Sequence, residues 1–149
     1  MVRAQFRTLK ACLERRLGIE IPVSHPATAW LLQHTTLLMN AIPMGYDGVT
    51  AWHRARGRAF GTTLVCFGEV CLYKQPPKGP EHDANGNMAP RWHEGLFLGY
   101  DRRSSSYLIN TSEGIKSAKS IMRLTMDARW SVEKLQLVTA TPWMWGKRE

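Results

Sequence analysis

Long apolar runs are missing from this sequence: no stretch approaches the roughly 20 consecutive apolar residues that a membrane-spanning helix needs, so no membrane partner is expected. Carboxylates are scarce, with 12 Asp and Glu against 20 Lys and Arg, a formal net charge of +8. That balance favours a polyanionic partner, nucleic acid first among them, although charge alone gives only non-specific attraction. Cysteine is limited to Cys12, Cys66 and Cys71, which form no even disulfide set, and Cys66 and Cys71 would face opposite sides of one strand. Buried, reduced thiols are expected. No His-x-His or Cys-x-x-Cys pair is present to hold zinc. The start of the chain has no compact apolar core with a small-residue cleavage site, as a secretory signal would, and an intracellular protein is expected. What is there, 149 residues of which 44% are hydrophobic, suffices for one ordinary domain or two small units with thin cores.

The first half reads as helical. Val2, Phe6, Leu9, Leu13 and Leu17 recur at spacings of three and four and predict a helix with one apolar face, stopped by Gly18. Arg3, Arg7 and Lys10 follow the same spacing on a neighbouring face, where a row of cations can track phosphates or stand solvated; spacing leaves both readings open. Ser24 is the candidate cap of a second helix, with Pro26 in its first turn and an end near Asn40. His34 lies in its apolar stripe with no second ligand at metal spacing, and is expected to be a core or surface histidine. A turn-rich loop follows at Pro43, Gly45, Asp47 and Gly48, and Thr50 can cap a short helix through Arg56. Arg54, Arg56 and Arg58, with no acid between Asp47 and Glu69, form the least neutralised basic cluster expected of the chain.

From Leu64 the period changes to two. Leu64, Cys66, Val70 and Leu72 are expected on one strand face, with Phe67, Glu69 and Tyr73 on the other. Residues 75–90 carry too many Pro and Gly for regular structure and read as a loop, with Lys78 and His82 exposed. Trp92 to Tyr100 predicts a strand with Leu96, Leu98 and Tyr100 on one side and with Gly95 and Gly99 at bends or close approaches. Further strands are expected over Tyr107 to Thr111 and Ile115 to Leu124, four or five in all, as a small barrel needs. Arg129-Trp130 is expected to seal one end, Glu133 to Val138 to form a turn of helix, and Trp143 and Trp145 to stand exposed in a tail.

Taken in order, Thr50-Ala-Trp-His-Arg-Ala-Arg-Gly57, Phe67-Gly-Glu-Val70, Arg91-Trp-x-x-Gly95 and Phe97-Leu-Gly-Tyr100 resemble the C-terminal part of integrases from copia-like LTR retrotransposons and retroviral-type Pol polyproteins. The resemblance implies an α+β chain: residues 1–62 as the helical end of a ribonuclease-H-like integrase core, residues 63–130 as a small SH3-like β-barrel, and residues 131–149 as a tail. The family core joins DNA through three carboxylates that hold two divalent cations, Mg2+ in the full-length proteins. The resemblance puts all three upstream of Val2. Asp47 with Asp83 or Glu81 sits in Gly- or Pro-rich loops outside that motif, so no catalytic residue, metal ligand or cofactor is expected in this chain.

The implied function is DNA binding without chemistry, in the nucleus if the element is functional, alone or with other integrase chains. The residues expected to meet backbone phosphates are Arg3, Arg7, Lys10, Arg54, Arg56, Arg58, Lys74, Lys78, Arg91, Arg102, Arg103, Lys116, Lys119 and Arg123, with Trp92 as a base-stacking platform or a barrel-core aromatic. Two other readings stand beside this one. Tyr73, Trp92, Phe97, Tyr100 and Tyr107 can line an aromatic groove of a protein-interaction module, or the chain can be a relic whose uncovered helices expose Phe6, Leu9, Leu13, Trp30 and Leu37.

Overall fold

The periodic apolar face of the first segment folds as helix α1, Val2–Leu17, in the computed structural model, which describes residues 2–62, 65–74, 92–101 and 106–143. Gly18 ends it at φ 72°, donating its N–H to the Glu14 carbonyl, a left-handed stop that a Cβ would strain. Helix α2, Pro26–Ala41, is capped one residue later than expected: the His25 Nδ1, not Ser24, accepts from the Ala27 N–H at 3.1 Å. Pro26 at its first position gives up only a donor that would go unused. Helix α3, Ala51–Arg56, starts as expected at Thr50, whose hydroxyl accepts from the His53 N–H, and ends at Gly57 with φ 79°.

Among the described residues five strands follow: β1 Val70–Lys74, β2 Trp92–Asp101, β3 Ser106–Thr111, β4 Gly114–Ala118 and β5 Ile121–Arg123. They form one antiparallel sheet in the order β4-β3-β2-β1-β5, so the chain is α+β. The segment expected as one strand over Ile115 to Leu124 is two, broken at Lys119-Ser120, which lets β5 return beside β1. β1 begins later than the alternation predicted, because Phe67 and Gly68 form a turn with Gly68 at φ 77°; Leu64 lies outside the described residues. A 3-10 turn at Met126–Ala128 and helix α4, Val132–Gln136, complete the described chain.

The expected placement of Leu96, Leu98 and Tyr100 on one side of β2 does not hold. Pairing slips between Phe97 and Gly99, so Phe97 faces Ile109, Gly99 faces Leu108 and Leu98 is the extra residue of a bulge. Leu96 and Leu98 therefore enter one core cluster, with Leu13, Trp30, Leu31, Phe67, Val70 and Leu108, while Phe97 and Tyr100 both enter the other, with Leu37, Trp52, Cys71, Tyr73, Tyr107 and Ile109. Gly95 marks a close approach, as expected: a Cβ there would collide with Ile109 Cγ2.

Helices and sheet share both clusters. Leu13, Trp30 and Leu37 are buried, and Phe6 and Leu9 pack against the first cluster, so the apolar face expected to lie uncovered is covered by the sheet and α4. The Trp30 indole donates to the Ala140 carbonyl at 2.8 Å, tying α2 to the segment after α4. Cys71 is fully buried, its thiol pushed up to about 12 by burial and by the neighbouring Glu69 carboxylate, whereas Cys12 is exposed, contrary to the expectation of three buried thiols.

Candidate nucleic-acid interface

Antiparallel pairing brings Lys74, the last residue of β1, opposite Trp92, the first of β2. The Lys74 N–H donates to the Ser120 carbonyl at 3.2 Å, which draws the β4–β5 turn and its exposed Lys119 to the same end of the sheet. Trp92 is 36% exposed there, so its reading as a barrel-core aromatic is overturned. Among the described residues neither ammonium has a carboxylate partner. Two cations and an accessible indole thus share one sheet end, a set able to meet phosphates and stack a base.

Several of the other expected cations are spoken for. Arg54 does not belong to an un-neutralised cluster: its Nε and Nη2 grip the Asp47 carboxylate at 2.8 and 3.0 Å, and Nη2 also donates to the Val49 carbonyl at 3.1 Å. The hydrogen bond from Arg54 holds Asp47 down at about 2. Arg56 lies 3.6 Å over the Trp52 ring, a cation–π contact, and Arg58 is exposed beyond Gly57. On α1, Arg3 and Arg7 are exposed, but Lys10 pairs with Glu14 at 3.4 Å. Lys116 pairs with Glu113 at 3.0 Å. Lys78, Arg91, Arg102 and Arg103, like His82, Trp145 and the loop acids Glu81 and Asp83, lie outside the described residues.

Arg123 is the clearest correction. Its Nε and Nη2 donate to the two oxygens of Glu69 at 2.8 and 3.0 Å, and Arg129 Nε approaches the same carboxylate at 3.2 Å while donating to the Leu124 carbonyl. Glu69 has no exposed surface, so its charge has left water entirely and two guanidinium groups replace its hydration. Nothing in the local sequence signals this pair, whose members lie 54 residues apart. Arg15 and Arg16 were passed over by spacing; Arg15 is exposed, and Arg16 stacks 4.6 Å over Trp130.

Of the five aromatics expected to line a groove, Tyr73, Phe97, Tyr100 and Tyr107 are buried and only Trp92 is accessible. Phe97, Tyr100 and Tyr107 pack edge-on or tilted against one another at 5.0–6.1 Å, and the Tyr100 hydroxyl accepts from the Val65 N–H. His34 sits among Phe67, Phe97 and Tyr100 with Nδ1 unpartnered, and burial lowers it to about 4, so it is neutral at physiological pH. It is a core histidine, as expected. Among the described residues no group of three His, Cys, Asp or Glu side chains is placed to hold a metal ion, and no helix is long and apolar enough to cross a membrane. Compared with protein families, with curated proteins and with solved structures, the chain matches none.

Proposed function

We propose that this chain is a DNA-binding C-terminal fragment of a retrotransposon integrase, acting in DNA integration by gripping backbone phosphates and carrying no catalytic carboxylates of its own. The observation that carries the reading is the sheet end formed by Lys74, Trp92 and Lys119, two cations with no carboxylate partner among the described residues beside an accessible indole, on a chain of net charge +8. Support also comes from the ordered motif series and from a five-stranded antiparallel sheet whose last strand returns beside the first, the order expected of a small SH3-like barrel. The helices α1 to α3 then correspond to the end of a ribonuclease-H-like core. Other integrase chains are proposed partners, and the Mg2+ of the family would be held by carboxylates outside these 149 residues.

Phosphate contacts make such binding insensitive to sequence and steep in salt, with log K falling by about 0.9 per contact for each decade of salt. Fluorescence anisotropy with a labelled duplex across a salt series tests this. The full chain should bind tightly in low salt, and Lys74→Glu with Lys119→Glu should weaken binding and flatten the salt slope by about 2, roughly 0.9 for each lost contact. Absence of binding in low salt would sink the reading.

A further inference from the structure

Three large apolar side chains alternate along the loop between α2 and α3, and all point into solvent: Ile42 is 51% exposed, Met44 73% and Tyr46 completely. Singly exposed apolar residues are ordinary; three on one short loop are not. The loop is also tightly built. Gly45 donates its N–H to the Val49 carbonyl at 2.9 Å, Gly48 donates to the Gly45 carbonyl at 3.1 Å, and Met44 bridges Thr50. Behind it stands the Arg54 guanidinium, close enough that a Cβ on Gly45 would collide with Nη2, with its fork on Asp47 and Val49. Pro43 restricts the entering backbone further.

We propose that this loop is a wedge that inserts Tyr46 and Met44 between stacked bases of DNA; the inference rests on the DNA-binding reading above. Apolar wedges of this kind part base steps in proteins that kink the duplex, and a loop already ordered loses little freedom on insertion. Charge selects the occupant. A polyanion is attracted by a chain carrying +8, an attraction that a second copy of the chain does not share. Asp47 is cancelled by Arg54, leaving the exposed Arg56 and Arg58 one short helix away. Arg56 is the last residue of that six-residue helix and Arg58 follows Gly57, so two exposed cations stand on the segment that the loop leads into, available to phosphates near a parted step.

The test uses the full chain and a duplex carrying a fluorescent adenine analogue whose emission rises on unstacking, with anisotropy measured in parallel. Wild-type binding should raise the emission. The variant Tyr46→Ser with Met44→Ser changes only exposed side chains, so its urea transition should match the wild type, while the emission rise disappears and affinity falls roughly tenfold, the loss of about one stacked base. Arg54→Ala, which keeps both side chains but unties the loop, should give a reduced rise. Wild-type binding without an emission rise, or a full rise in the double variant, overturns the wedge and leaves the DNA-binding reading standing. A double variant that changes sedimentation but not emission makes the loop a self-association face and likewise overturns the wedge. Failure of the wild type to bind overturns both.

Discussion

His34 is held neutral by the aromatic core around it, and its burial makes stability sensitive to acid. Its folded pKa, about 4, lies below the ordinary 6.5, so between those values the unfolded chain takes up a proton that the folded chain refuses. Stability is therefore full above pH 6.5 and falls as the pH drops toward 4, by an amount on the order of 3 kcal/mol. Urea midpoints at pH 7 and 4.5 should differ, and His34→Phe should remove most of the difference. Asp47 titrates lower, its stabilising effect lost only as the pH falls from its ordinary 3.8 through about 2, so the two windows separate. Glu69 is the other decisive residue. Glu69→Ala leaves Arg123 and Arg129 without their shared carboxylate, and a loss of about 3–5 kcal/mol is expected in denaturant unfolding. Arg123→Ala leaves the carboxylate one guanidinium and should cost less.

At the level of elements, β2 depends on fine steric detail. Gly95→Ala places a methyl group against Ile109 Cγ2 and should destabilise the sheet by about 1–3 kcal/mol; thermal unfolding with Ile109→Ala as the compensating change checks whether the clash is the cause. The helices were legible in the sequence because a spacing of three and four is a signal local to one turn. The bulge was not. Leu96-Phe-Leu-Gly-Tyr100 has no polar residue to mark a face, and only the pairing with β3, where the register shifts between Phe97 and Gly99, shows the break. The break between β4 and β5 hides for the same reason, since Ile115 to Leu124 contains neither proline nor glycine. In the interface, Lys74, Trp92 and Lys119 were each visible as residue types, but their meeting is a property of strand register. The pairings of Arg54 with Asp47 and Arg123 with Glu69 span 7 and 54 residues, beyond the helical neighbour spacings that a sequence exposes, so two cations counted as available were not.

For the molecule as a whole, the sharing of both core clusters by helices and sheet makes the parts interdependent. Leu13, Trp30 and Leu31 meet Val70, Leu96, Leu98 and Leu108 in one cluster, and burial of each such side chain is worth about 1.5–3 kcal/mol. A chain beginning at residue 63 would expose that sheet face. It should lack a cooperative thermal transition and bind a hydrophobic dye, whereas the full chain should unfold in one step and bind little; a sharp transition in the shortened chain would show that the sheet stands alone.

The hydrogen bond from Trp30 to Ala140 can form only late in synthesis. Its two ends are separated by 110 residues. At roughly 5–20 residues per second, Trp30 is made on the order of ten seconds before the carbonyl that receives its indole. Until β1 to β5 have followed, the apolar faces of α1 and α2 have no sheet to rest on.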